Sequence, residues 1–315
     1  MNITPAFDVI KPGVHTLIQD LGRFGYQHLG ITPGGPADLH AYLWANKILG
    51  NDSNMASLEI HYGLMTLRAL TDTKIAICGA EFGVNINDNP AFNWQTYNVK
   101  TGDIIQYGGA RTGKCGYLAI VGGLQTEMSH HSRSTVIRDE LSEITSSSLY
   151  EGQRLPITTQ TPAQQAAQSQ VQRAVPRHYI PNYSAPLTLG LLPCYQWPLL
   201  TSKQQQQLLT NKYQISPQAN RMGYQLIGNM IADLPATLTS EGVALGSVQL
   251  PADGQPIVLL QDRQTIGGYP KAGIISALDC SQLSQRQQGE EISFKLENPL
   301  ISRYKMQAFK HFFDF

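Results

Sequence analysis

The feature that most constrains this chain is the brevity of its apolar runs. Lys74–Cys78, Tyr117–Val121, Leu187–Leu192, Ile257–Leu260 and Ile292–Leu296 sit among Gly, Pro and Asn. Runs of that length, punctuated in that way, suit strands better than helices, which need roughly ten residues or more. The 28 Gly and 18 Pro supply turns for many such strands. Helical patterns are fewer. Asp38–Leu49 has an N-capping Asp38, an apolar face of Leu39, Tyr42, Leu43 and Leu49, and a stop at Gly50; further helices are expected over Ser202–Asn211 and Asp279–Gln288. The expected fold class is mainly β with a few helices, in closed or nearly closed sheets.

A chain of 315 residues is long enough for two domains. Between Thr158 and Arg173 lies a stretch of Gln, Thr, Pro and Ala with little hydrophobic period, followed by Pro176, Pro181 and Pro186. It reads as a connection between a first domain over 1–175 and a second over 176–315. An internal echo flanks it. Arg23-Phe24-Gly25-Tyr26-Gln27-His28-Leu29-Gly30 matches Arg221-Met222-Gly223-Tyr224-Gln225-Leu226-Ile227-Gly228 at Arg, both Gly, Tyr and Gln, which suggests two domains of one fold that arose by duplication.

Lys+Arg and Asp+Glu both total 23, so no net field draws the chain to nucleic acid or an anionic membrane, and neither is expected as a partner. No stretch approaches the roughly 18 continuous apolar residues of a membrane span, and the start lacks a secretory pattern. The expected location is the cytoplasm. Cys78, Cys115, Cys194 and Cys280 are scattered without paired short spacing, so reduced thiols are expected, with neither a disulfide framework nor a metal cage.

Three polar loops could carry chemistry. Gln19–Gly25 follows a predicted strand, and its Asp20 and Arg23 can either pair with each other to fix a turn or present a charged fork. Gln261–Lys271 follows the strand Ile257–Leu260 and concentrates Asp262, Arg263, Thr265, Gly267, Gly268, Tyr269 and Lys271; its paired glycines could expose amides to a carboxylate, phosphate or oxyanion, or could form an ordinary hairpin. Ser132-Arg133-Ser134-Thr135 is donor-rich, and could equally be a solvated loop. Asn46 lies on the apolar helix face, where an amide bonded to nearby backbone competes with a ligand contact. Glu59 and His61 alternate along a predicted strand as on a polar surface. Gly108–Cys115 nearly spells a phosphate-binding loop, but Cys115 replaces the required Ser or Thr and a strand follows where the loop needs a helix. There is no nucleophile elbow, metalloprotease motif or dinucleotide fingerprint. Anion-binding loops without a nucleophile point to one component of a larger enzyme.

Pro12-Gly13, Gln19-Asp20-x-Gly22-Arg23-x-Gly25, Ala45-Asn46, Leu58-Glu59, Tyr117-Leu118-Ala119 with Gly122-Gly123, and Gly246–Pro251 with Gln261–Lys271 occur in an order that resembles the biotin-dependent carboxyltransferase family. That family includes C-type 5-oxoprolinase subunits and the allophanate hydrolase subunit 2 domain of urea-metabolising enzymes. The resemblance implies two tandem cyclophilin-like β-barrel domains. It also implies ATP-dependent opening of 5-oxo-L-proline to L-glutamate, together with A-type and B-type partner subunits, the latter like allophanate hydrolase subunit 1. ATP would act on the complex and need not touch this chain. The candidate catalytic residues are Asp20, Arg23, Asp262, Arg263 and Lys271; the candidate substrate contacts are Asn46, Glu59, Arg133, Arg221, Gln249, Thr265, Gly267, Gly268 and Tyr269. Two alternatives remain. One is carboxyl transfer in a urea carboxylase or allophanate system, with biotin carried by another chain because no biotinyl-lysine context is present here. The other is a regulatory binding protein acting on a kinase inhibitor.

Overall fold

The structure, a computed structural model, describes residues 3–139, 147–159, 172–234 and 238–315. Most of the expected Gln-rich connection lies outside the described residues. The chain divides into two compact units, the first of residues 1–23 and 34–183, the second of residues 24–33 and 184–315. The division falls after Tyr183 for a local reason: the Tyr183 hydroxyl donates to Asp38 Oδ2 at 2.7 Å, and the Val175 amide donates to the Trp94 carbonyl at 2.8 Å. Both interactions tie 172–183 to the first unit.

The first unit contains β1 (Ile3–Pro12), β2 (His15–Gln19), α1 (Leu39–Leu49), β3 (Ser57–His61), β4 (Met65–Ala69), β5 (Thr73–Glu81), β6 (Val84–Ile86), β7 (Asn89–Ala91), β8 (Gln95–Val99), β9 (Ile104–Gln106), β10 (Thr112–Ile120) and β11 (Arg154–Thr158). They form a six-stranded sheet, β11-β1-β4-β9-β6-β7, and a five-stranded sheet, β2-β3-β10-β5-β8. Phe7, Val9, Leu67 and Ile105 of the first sheet share one core with Ile18, Leu58, Ile60, Ile77 and Leu118 of the second. The α1 helix packs on β5 and β10. The five-stranded sheet is therefore buried on both faces, which explains why all five residues of β3 are buried and why β10 is buried from Gly113 to Ile120. Helix α1 starts where Asp38 Oδ1 accepts from the Ala41 amide at 3.1 Å and ends where Gly50 adopts the left-handed conformation.

The second unit contains β12 (Leu187–Pro193), α2 (Ser202–Thr210), β13 (Lys212–Ile215), β14 (Gly223–Ile227), β15 (Glu241–Gly242), β16 (Ser247–Gln249), β17 (Ile257–Leu259), β18 (Ile266–Gly267), β19 (Lys271–Ile275), α3 (Ala277–Ser284), β20 (Glu291–Leu296) and α4 (Pro299–Phe313). Seven strands close a barrel in the order β12-β19-β16-β17-β14-β13-β20, and the parallel pair β12–β20 completes it. Closure leaves no open edge. Leu189, Leu191, Tyr213, Leu226, Val248, Val258 and Phe294 fill the core. The short pair β15–β18 stands outside the barrel ladder.

The mainly-β expectation holds, and each predicted strand and helix core appears. The echo does not fold twice alike. Its first copy contains a 3₁₀ turn over Gln27–Leu29, whereas its second forms β14. Helix α4 has no clear signal in the sequence; Leu300, Ile301 and Tyr304 on it are exposed, so its apolar residues keep no single buried face.

Candidate functional site

In the first unit, Asp20 and Arg23 serve different partners. The buried Asp20 carboxylate accepts from Ser132 Oγ at 2.6 Å, Ser134 Oγ at 2.7 Å, the Arg133 amide at 2.6 Å and the Gly22 amide at 2.9 Å. The Arg23 guanidinium, only 1 % exposed, donates to the carbonyls of Ser129 and Ser134. The Ser132–Thr135 run is thus a folded clamp on the Gln19–Gly25 turn, not a solvated loop. Arg133 is half-buried and also donates to the Thr126 carbonyl at 3.0 Å and Gln125 Oε1 at 2.9 Å. Asn46 is wholly buried; it donates to the Met55 carbonyl at 3.0 Å and accepts from Asn51 at 2.9 Å. Its amide is a core fastener between α1 and the chain that follows.

Glu59 and His61 are not on a polar surface: they are 0 % and 4 % exposed. Glu59 Oε1 lies 2.7 Å from His61 Nε2, while Oε2 accepts from the Tyr117 hydroxyl and the Ala37 amide, both at 2.7 Å. The two-face burial of the sheet is the reason. Gly108–Cys115 runs into strand β10, and Lys114 is buried, its ammonium 5.4 Å from the Tyr62 ring centroid. Burial pushes the Lys114 ammonium down to about 8. No helix N-terminus follows this run, so it does not fit a nucleotide phosphate.

In the second unit, the Gln261–Lys271 segment resolves into three arrangements. Asp262 and Arg221 form a two-pronged ion pair, Nε to Oδ2 and Nη2 to Oδ1, each 2.8 Å. Both side chains are about nine-tenths buried, and the Asp262 amide donates to the Arg221 carbonyl at 2.9 Å. Lys271 pairs with Glu241, whose carboxylate also accepts from the Tyr195 hydroxyl and, at 2.7 Å, from Gln196 Nε2. The Gln196 amide oxygen accepts from the Lys271 amide at 2.7 Å, closing the network. The Lys271 ammonium, followed by the Tyr195 hydroxyl, holds the Glu241 carboxyl below its usual range.

Arg263 is the third. Its Nε and Nη1 donate to the carbonyls of Val243 and Leu260, each at 3.3 Å, and its own carbonyl accepts from the Thr32 hydroxyl at 3.2 Å. Nη2 has no protein partner among the described residues. The Arg263 side chain lines a cavity of about 460 Å³ with Gln27, His28, Gly242, Thr265 and Ile266 among its neighbours. Burial lowers the guanidinium from its ordinary value, and it remains a cation at neutral pH.

The paired glycines do not form an open amide cradle. Gly267 pairs with Glu241 in β15–β18, and the Gly268 carbonyl accepts from the Leu238 amide at 2.8 Å. The missing Cβ of Gly267 has another use: a Cβ there would sit 2.9 Å from Gln249 Nε2. Gln249 is 1 % exposed and its Nε2 has no partner among the described residues. An unmet buried amide of this kind costs about 1–3 kcal/mol. Gln249 itself does not line the cavity; its link to it is Gly267, which follows the lining residue Ile266. Tyr269 is exposed. Sequence reasoning misses Gln27 and His28 as site residues, although the echo segment contains them; Glu241, Tyr195 and Gln196 carry no sequence signal.

A family model described as carboxyltransferase domain, subdomain A and B, matches residues 29–296. The chain belongs to that family. Among curated relatives, this carboxyltransferase-domain chain is 32 % identical over 305 residues to the C-type 5-oxoprolinase subunit of Escherichia coli (strain K12), covering 96 % of this chain and 95 % of the relative. It is 31 % identical over 290 residues to the C-type 5-oxoprolinase subunit of Haemophilus influenzae, covering 91 % and 90 %. The solved Kluyveromyces lactis urea carboxylase superposes with a TM-score of 0.88 at 25 % identity, covering 98 % of this chain and 29 % of that one. A solved protein designated TTHA0988 matches with a TM-score of 0.81 at 29 % identity, and the chain spans 56 % of its length. Among the described residues, no helix is long and apolar enough to cross a membrane.

Proposed function

We propose that this chain is the C-type component of an ATP-dependent 5-oxoprolinase, which opens 5-oxo-L-proline to L-glutamate with A-type and B-type partners. The observation that carries the reading is end-to-end correspondence: the chain accounts for 95 % of a relative named as a C-type 5-oxoprolinase subunit but only 25 % of a relative named putative urea carboxylase.

The chemistry of the site agrees. A lactam opens through states in which negative charge gathers on the carbonyl oxygen, and fixed donors stabilise that charge. Arg263, which lines the cavity, is such a donor, and Gln249 Nε2, buried beside Gly267 and met by no other described residue, is the second donor in this reading. Gly267 leaves room for the amide. Arg221–Asp262 holds the loop that carries Arg263, and the Glu241–Lys271–Gln196 network fixes the strand that follows. In this reading ATP acts on the complex and need not touch this chain, whose Gly108–Cys115 run does not fit a phosphate.

Carboxyl transfer beside biotin on another chain is the second reading, favoured by the high structural likeness to urea carboxylase. Release of phosphate and glutamate from ATP and 5-oxo-L-proline, with this chain and each partner omitted in turn, tests the proposal. Coupled release that needs this chain is expected; none from an assembled complex would reject it.

A further inference from the structure

We propose that His15, Glu59, His61 and Cys115 of the first unit form a transition-metal site, with zinc the ion whose ligand preferences they match best. The strand register assembles them. His61 of β3 is the direct partner of His15 on β2 and of Cys115 on β10, and Glu59 lies two residues from His61. Side chains at those positions project from one face of the sheet. Glu59, His61 and Cys115 are all buried, and one ligating atom from each lies within 4.8 Å of the others. The His15 ring lies outside that group of three, its centroid 5.5 Å from that of His61, and would swing in as the fourth ligand. Two imidazoles, a thiol and a carboxylate make a four-ligand set of borderline softness, which suits Zn²⁺ or Co²⁺ and not Mg²⁺ or Ca²⁺.

The surroundings orient these groups as metal ligands are oriented. Glu59 Oε2 is held by Tyr117 and the Ala37 amide, and Oε1 faces His61. His15 Nδ1 lies 3.1 Å from Ser148 Oγ, the kind of contact through which a metal-ligating imidazole is oriented by its other nitrogen. His15 is only half-buried and provides an entry side. Two ligands about 2.0 Å from a tetrahedral zinc stand about 3.3 Å apart, so Glu59 and His61 need only part slightly from 2.7 Å. The cation would replace the proton between them and displace the Cys115 thiol proton, and both protons would leave to solvent. The scattered spacing of the cysteines conceals the site, since its ligands come from three strands.

The full-length chain, freed of metal with a chelator, should take up one equivalent of Co²⁺ and show tetrahedral visible bands with a thiolate-to-cobalt charge-transfer band. Cys115→Ser should abolish the charge-transfer band, and Zn²⁺ should displace the cobalt. Ser148→Ala should weaken cobalt binding by roughly 10-fold or more. No uptake of Co²⁺ or Zn²⁺ by the wild-type chain would overturn the proposal. So would uptake without a charge-transfer band, or a band that persists in Cys115→Ser. Should Cys115→Ser fail to fold, X-ray absorption of the zinc-loaded wild type decides: one sulfur ligand supports the site, none rejects it.

Discussion

Replacing Asp262 by Ala separates a clamp from a catalyst. The carboxylate makes two 2.8 Å bonds to Arg221, with both side chains about nine-tenths buried. Removing one partner of such a pair leaves a buried charge without its counterion, at a cost of about 3–5 kcal/mol. At roughly 2–4 °C per kcal/mol for a domain of this general size, the second unit's melting midpoint should fall by about 6–20 °C. The double variant Arg221→Met, Asp262→Leu removes both charges and keeps volume, so it should recover most of that loss. Thermal denaturation of the two variants, alongside turnover in the assembled complex, provides the assay. An Asp262→Ala protein with an unchanged midpoint but no turnover would refute the reasoning and return Asp262 to the chemistry.

Other outcomes follow from the same contacts. Arg263→Ala should lower kcat of the assembled complex by about 10²–10³-fold with a smaller change in KM, if it stabilises developing charge; steady-state kinetics checks this. Gly267→Ala pushes a Cβ to 2.9 Å from Gln249 Nε2, so substrate affinity should fall while the melting midpoint moves little. Because the folded Lys114 pKa is lowered to about 8 from 10.5, the unfolded chain binds the extra proton between those values, and stability should rise with pH from about 8 to 10. Lys114→Met should remove that rise in a pH series of denaturant melts. Glu241 has the opposite sign: its lowered pKa makes its contribution present above the ordinary carboxylate range and lost as pH falls through the folded value. Lys271→Met should move the Glu241 carboxyl back upward in a carbon NMR titration.

Much of the fold is legible because local signals suffice. Asp38 and Gly50 bracket α1 by capping chemistry alone, and Thr201 with Gln204 forms the capping box that starts α2. The third helix starts at Ala277, two residues before the expected Asp279, because Ser276 Oγ accepts from the Asp279 amide and takes the N-cap position itself. What is illegible depends on which segments meet. Residues 24–33 belong to the second unit although they lie in the first half of the chain, and only tertiary contact such as Thr32 to the Arg263 carbonyl reveals it.

The site shows the same limit from the chemical side. Charge density behind a core strand points to Arg263 and Thr265, which line the cavity, yet charge alone does not tell a donor that is spent from one that is available. Arg221 and Lys271 are as cationic as Arg263, but each is met by a carboxylate drawn from a distant segment. Alternation misleads in the first unit for a related reason. On a sheet with one wet face, Glu59 and His61 would mark the outside; here α1 packs on the neighbouring strands β5 and β10, and the Ala37 amide before it reaches Glu59, so the same spacing places them in the interior. A buried polar pair must then find its partners inside the protein, and Glu59 does so through Tyr117 and Ala37, residues that no periodicity connects to it.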